Sequence, residues 1–199
     1  MKIVGVGCGP GMLTEEAIAV LRSAKLAYGS DRALELAGKY LPEGCESHAI
    51  ENYRALRALP DEAVVLSTGD PMLAGLGYLE GEVIPGISSL QIAAARLHLP
   101  LTRVAVVTAH GTDHGKAIRE AVDEMGRGKV AFILADPDFS LPDLARAAQV
   151  AGLDPDIAVC EDLGYPSERI AAGNLRELPE IRSPRLYAIL AGTFTHPRT

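Results

Sequence analysis

Asp70 is the carboxylate whose position most suggests chemistry. It lies in L-S-T-G-D-P-M-L-A-G (66–75), directly after an apolar stretch that reads as a buried strand. An acid there sits at the carboxyl edge of a parallel sheet, where open α/β folds hold ligands; an Asp-Pro turn without a ligand has the same spelling. The second group is P-G-I-S-S-L-Q (85–91). Ser88 has the S-x-x-Q spacing of a capping box, and a helix start also presents hydroxyls and free N–H groups to a cleft. The third is T-A-H-G-T-D-H-G (108–115), with His110 and His114 four apart and Asp113 between them. A metal pair at that spacing needs a helix, whereas Gly111 and Gly115 point to a loop, so no metal site is expected. His110 reads either as a satisfied structural histidine or as a polar group lining a ligand cleft. In the second role it is the candidate catalytic residue, able to move a proton.

The segment G-V-G-C-G-P-G-M-L-T (5–14) invites a phosphate-loop reading. A dinucleotide fingerprint begun at Gly5 needs glycine where Pro10 stands; begun at Gly7 it needs glycine at Met12. A P-loop needs Gly-Lys-Ser/Thr, and no lysine follows before Lys25. The first motif of Rossmann-like methyltransferases has an acid where Gly5 stands. What remains is a tight strand-to-helix turn in which glycine supplies positive φ and close approach.

The elements that must carry these groups alternate. Apolar strands are expected at 2–7, 25–29, 45–50, 63–69 and 82–86. Helices are expected after Thr14 (an N-cap followed by Glu15 and Glu16), after Ser30/Asp31, over 52–59 and over 89–97. This order implies an α/β fold with a mostly parallel sheet. The stretch L-H-L-P-L-T-R (97–103) reads as a linker, giving an N-terminal α/β domain over 1–100 and a C-terminal one over 101–199. The second half reads as strands at 103–109, 129–135, 156–162, 168–173 and 185–192, with helices at 114–126 and 141–151. Late strands without intervening helices imply a mixed sheet there.

Composition narrows the classes. The chain has 199 residues, 48% of them hydrophobic, and a formal net charge of −7. That balance argues against a nucleic-acid binder. Cys8, Cys45 and Cys160 are far apart and fit no zinc spacing, so reduced thiols in a cytoplasmic protein are expected. No apolar run is long enough for a membrane span.

The ordered series G-x-G-x-G-P-G at the N-terminus, G-D-P after the fourth strand and P-G-x-S-S before a helix resembles the tetrapyrrole (corrin/porphyrin) methyltransferase family over essentially the whole chain. P-G-I-S-S-L-Q-I-A-A-A-R-L-H-L-P and the following T-A-H-G resemble its members that methylate C-5 of a (cobalt-)precorrin in cobalamin biosynthesis. The resemblance implies two α/β domains of the tetrapyrrole methylase type and a homodimer. It also implies S-adenosylmethionine as co-substrate, folded in the cleft between the domains, with no protein-bound metal. By motif matching, Gly69, Asp70, Pro71 and Leu73 would line its methionine end, and Ser88 and Ser89 would continue the wall. Leu134 would pack on it, Leu163 and Ala191 would face the adenine, and Cys8 would mark the nearest approach of the first loop. Pro10 and His110 would face the substrate. Arg54, Arg103 and Arg119 are candidates for its carboxylates. A separate C(15)-methyltransferase/decarboxylase partner is implied as well. Other readings are a diphthine-type or RNA-directed methyltransferase of the same fold, and a ligand-binding module without catalysis.

Overall fold

A computed structural model describes residues 1–111, 113–183 and 187–194. The chain forms two compact units, Met1–Ser89 and Leu90–Thr199.

The first unit is a five-stranded sheet of β1 (Lys2–Gly5), β2 (Leu26–Gly29), β3 (Glu46–Ala49), β4 (Val64–Ser67) and β5 (Glu82–Ile84), in the order β3-β2-β4-β1-β5. Every pairing is parallel, so every connection must cross back over a sheet face. Helix α1 (Glu15–Leu21) starts where Thr14 Oγ1 accepts from Ala17 N at 3.1 Å, and Glu15 and Glu16 occupy its first turn. Ser30 caps α2 (Asp31–Ala37) in the same way, accepting from Ala33 N at 3.3 Å. The expected helix over 52–59 is instead a 3-10 turn, Tyr53–Ala58. Asn52 Oδ1 opens it by accepting from Arg54 N, and Leu59 is extended ahead of Pro60, which stops an α-helix from continuing. Ile3, Leu56, Val65, Leu76 and Leu79 form a core on one sheet face.

The second unit begins with α3 (Ser89–Arg96, its first residue falling at the boundary). It contains β6 (Val104–Thr108), α4 (His114–Gly126), β7 (Val130–Leu134), α5 (Leu141–Val150), β8 (Asp156–Glu161), β9 (Arg169–Asn174) and β10 (Tyr187–Gly192). Positions 185–186 of the expected last strand lie outside the described residues. The sheet order is β6-β7-β10-β8-β9. Only β6–β7 is parallel, and the other three pairings are antiparallel. Asp113 caps α4 and Ser140 caps α5. Ala131 and Ile133 of β7, Ile157 and Val159 of β8, and Ile189 and Ala191 of β10 share a core with Ala117, Ala121, Leu144 and Ala148 of the two helices. This is the period-2 alternation of strands meeting the apolar stripes of helices.

Among the described residues no helix is long and apolar enough to cross a membrane, and no group of three or more His, Cys, Asp or Glu could hold a metal ion.

Candidate functional site

Three loops leave the carboxyl ends of β1, β4 and β5 side by side, because the register sets Gly5 beside Ser67 and Val4 beside both Leu66 and Ile84. They pack backbone to backbone. A Cβ on Gly5 would lie 2.5 Å from Gly86 N and 2.7 Å from Gly69 O, and one on Gly86 would lie 2.1 Å from Gly69 O. Only glycine fits either place. Gly7 and Gly69 both take positive φ, +77° and +75°, and meet in an isolated antiparallel bridge. The bridge bond runs from Gly69 N to Gly7 O at 2.8 Å.

Three N–H groups of the first loop are engaged within the protein. Val6 donates to Ser67 O, Cys8 to Ile87 O and Met12 to Gly9 O. A phosphate cradle aims such groups outward at the anion; here Val6 and Cys8 tie the loop to its neighbours and Met12 closes its own turn. Arg32, from α2, donates to Cys8 O at 2.6 Å and holds the loop from the other side. The sequence did not single out Arg32, because its acceptor is a backbone carbonyl 24 positions away.

Asp70 joins two of the loops. Its Oδ1 accepts from Met72 N (2.9 Å) and Leu73 N (3.3 Å), closing the Asp-Pro turn, while Oδ2 accepts from Gly86 N at 3.0 Å. Pro71 and Ser88 are buried beside it, Leu73 and Ser89 are half-buried, and Cys8 is buried with its thiol 3.7 Å from Met12 Sδ. Pro10 is exposed at the tip of the first loop. The structure thus brings Cys8, Gly69, Asp70, Pro71, Leu73, Ser88 and Ser89 to one sheet edge. Asp70 is the only charged side chain in segments 6–13, 68–75 and 85–89.

The remaining candidates belong to the second unit. Leu134 ends β7, paired with Thr108 and Ala188, and its carbonyl accepts from Ala109 N. Leu163 follows β8 by two residues, at the same end of the sheet, since Glu161 pairs with Tyr187. Ala191 does not join them. It pairs with Ala131 and Ile157, three steps along β10 from the Ala188–Leu134 pair, and is fully buried in the core. That is about 10 Å at strand rise. Motif matching gives both Leu163 and Ala191 to the adenine side; in the sheet they stand about three strand positions apart.

His110 is exposed in the turn after β6, and Thr112 beyond it lies outside the described residues. His114, rather than His110, has a built environment. Its Nε2 lies 3.0 Å from Asp136 Oδ2, and its ring meets Phe139 edge-on at 5.6 Å. Asp136 Oδ2 also accepts from Gly111 N and Oδ1 from Asp138 N, both at 3.1 Å, while Tyr187 OH donates to the Asp136 carbonyl. Burial pushes the Asp136 carboxyl up, but the hydrogen bonds from His114, Gly111 and Asp138 outweigh it and hold the group below its usual range. Burial raises the Tyr187 phenol to about 12, with Asp136 and Asp138 adding to the shift.

Asp136-Pro137 ends β7 as Asp70-Pro71 ends the β4 segment. Each aspartate accepts from the N–H two residues on and from a glycine N–H of another loop. The sequence reading passed over Asp136; the Asp-Pro turn signal that marked Asp70 was present there too. Of the arginine candidates, Arg103 donates to Thr193 O, Arg119 is exposed on α4, and Arg54 lies in the 3-10 turn of the first unit.

The profile of the tetrapyrrole (corrin/porphyrin) methylases matches residues 2–179. A probable cobalt-precorrin-7 C(5)-methyltransferase of Methanocaldococcus jannaschii is 32% identical over 194 residues, covering 87% of this chain and 89% of the relative. The crystal structure of the cobalamin biosynthesis precorrin-6Y methylase of Archaeoglobus fulgidus superposes with a TM-score of 0.76 at 29% identity, covering 96% of each chain. The uroporphyrin-III C-methyl transferase of Thermus thermophilus, solved in complex with S-adenosyl homocysteine, shares the fold with a TM-score of 0.67 at 24% identity, covering 96% of each chain. The loops Gly5–Leu13, Gly69–Gly75 and Pro85–Ser89 lie inside the matched span, and the chain belongs to the tetrapyrrole (corrin/porphyrin) methylases.

Proposed function

We propose that this chain transfers a methyl group from S-adenosylmethionine to C-5 of a (cobalt-)precorrin in cobalamin biosynthesis. The observation that carries the reading is the relative from M. jannaschii, similar over nearly the full length of both chains. The donor set at the sheet edge fits the co-substrate. The three loops carry no lysine or arginine and contain one carboxylate. Such a set suits a zwitterion bearing a sulfonium better than a polyphosphate.

When bound, S-adenosylmethionine supplies a methyl group already activated by its sulfonium. The protein's part is then alignment and exclusion of water. Asp70 fixes the Gly69–Gly75 turn against Gly86, and Arg32 fixes the Cys8 carbonyl, so the three loops form one preorganised edge. Cys8, Gly69, Asp70, Pro71, Leu73, Ser88 and Ser89 are the proposed cofactor residues there, with Leu134 and Leu163 in the second unit. Pro10 is proposed on the substrate side, and His110 is proposed to accept a proton from the macrocycle. A homodimer, cytoplasmic location and a separate C(15)-methyltransferase/decarboxylase partner complete the reading.

The test is turnover of the purified chain with cobalt-precorrin substrate and S-adenosylmethionine. The expected product carries a methyl group in place of one hydrogen, heavier by CH2, and appears with S-adenosylhomocysteine. Methylation of a protein or RNA instead would reject the corrinoid assignment, and absence of S-adenosylhomocysteine binding by calorimetry would reject the enzyme reading.

A further inference from the structure

Within the second unit, the exposed side chain of His110 stands on a backbone pinned one residue to either side. Ala109, fully buried, donates its N–H to Leu134 O at 2.9 Å. Gly111 takes a positive φ of +65° and donates its N–H to Asp136 Oδ2 at 3.1 Å. Both acceptors belong to the end of β7, one on its last residue and one two residues beyond. The imidazole between the pins has no partner among the described residues, so the pins place main chain and leave the ring to face outward.

The second pin is braced in turn. An aspartate that only closes its own turn needs one oxygen, and Oδ1 of Asp136 does this by accepting from Asp138 N. Oδ2 is given to Gly111 N and to His114 Nε2. An ionised carboxylate can only accept, so His114 Nε2 carries the hydrogen. His114 is the first residue of α4, its ring set edge-on against Phe139, and Tyr187 OH of β10 holds the Asp136 carbonyl. Helix and turn therefore meet on one oxygen, and that oxygen holds the residue next to His110. Support of this kind is what a reacting side chain on a loop requires, because a misplacement of about 1 Å costs on the order of a hundredfold in rate.

We infer that Asp136 is a positioning residue for the methyl transfer: through Gly111 N, and braced by His114, it sets the main chain of the His110 turn so that the imidazole stands ready for the proton that C-5 releases. The inference rests on the reading above in which His110 accepts that proton. The electron pair at C-5 forms the bond to the methyl carbon, the pair of the S–CH3 bond stays on sulfur, and the C-5 proton goes to a ring nitrogen of His110, which becomes an imidazolium.

The test is a double-mutant cycle in the full chain. It reads cobalt-precorrin turnover, S-adenosylhomocysteine calorimetry and hydrogen exchange of the Gly111 amide by NMR, at a temperature where each variant is folded. Asp136→Ala is expected to lower kcat about tenfold and to speed Gly111 exchange about tenfold, with S-adenosylhomocysteine affinity unchanged. In the His110→Gln background it is expected to cost no further kcat, because the group it positions is gone; a merely structural role lowers kcat in both backgrounds. If Asp136→Ala does not fold, Gly111→Pro takes its place in the cycle with the same expectation. It removes the N–H and the positive φ at a position where an added Cβ meets nothing within 4 Å, and it leaves the Asp136–His114 pair intact. Losses that add to that of His110→Gln, an unchanged kcat in either single variant, or unchanged Gly111 exchange in Asp136→Ala overturns the inference and leaves the corrin reading standing. Absence of turnover by the wild type overturns both.

Discussion

Gly86 donates its backbone N–H to Asp70 Oδ2 at 3.0 Å across sixteen residues of chain. That bond makes the Asp-Pro turn after β4 and the Pro-Gly turn after β5 one rigid object. Asp70→Ala removes the acceptor for three N–H groups at once. Charged hydrogen bonds contribute roughly 1.5–3 kcal/mol each, so loop order suffers before global stability does. Calorimetry is expected to show S-adenosylhomocysteine affinity reduced by about tenfold or more. Unchanged affinity would make Asp70 a turn former only.

Gly86→Ala tests the same edge by volume. The added methyl would sit 2.1 Å from Gly69 O, closer than any real contact, and the obstacle is backbone that cannot rotate away. Overpacking of this kind costs about 1–3 kcal/mol. A lowered melting temperature and weakened S-adenosylhomocysteine binding are expected together. A stable variant with native affinity would contradict the close packing.

His110 and His114 separate by role. His110→Gln is expected to lower kcat by about a hundredfold, the scale of general base catalysis, with S-adenosylhomocysteine affinity and melting temperature unchanged. His114→Gln is expected to lower the melting temperature, because it takes a partner from Asp136. Turnover at the wild-type rate in His110→Gln would remove that residue from the chemistry.

Acid sensitivity follows from three carboxylates. Asp136, Glu161 and Glu168 are each pushed up by burial but held lower overall by their hydrogen bonds and, for the glutamates, by Arg169 and Arg96. A carboxyl with a lowered folded value binds fewer protons folded than unfolded. Its stabilisation is therefore complete above the unfolded range, about 4, and fades as pH falls through the folded value. Asp136→Asn is expected to lie below wild type in stability at pH above about 5, with the margin closing in stronger acid. A margin independent of pH would show that Asp136 contributes by shape alone.

Glu161 is buried at the end of β8, where it accepts from Arg169, Arg182 N and Ser183 N. Glu161→Ala strands all three donors. Breaking a buried pair from one side costs about 3–5 kcal/mol, so urea unfolding is expected to shift strongly. A shift under about 1 kcal/mol would mean that water replaces the carboxylate there.

Local chemistry was legible in the sequence, and distant geometry was not. Thr14 and Ser30 could be read as caps because donor and acceptor lie three residues apart. Asp70 could be read as an edge residue because strand, glycine and proline surround it. Its partner Gly86 could not, nor could Arg32 as the anchor of Cys8, since each contact depends on which strands become neighbours. The order β3-β2-β4-β1-β5 is a property of the crossovers, and no single segment contains it. Which face a strand residue such as Ala191 presents depends on register, and β10 is antiparallel to both its neighbours. The 52–59 segment has helical spacing, yet Asn52 and Pro60 confine it to a tighter turn, and that turn carries Arg54 and Arg57.

The contact among Gly5, Gly69 and Gly86 is made of main chain only. A wall without side chains has no rotamers, so nothing in it freezes when a ligand arrives and nothing in it can swing aside. Adaptation at this edge therefore falls to side chains that can still move, above all half-exposed Met72. Substitution in the 72–80 segment would therefore change this edge while leaving the main-chain floor beneath it unaltered.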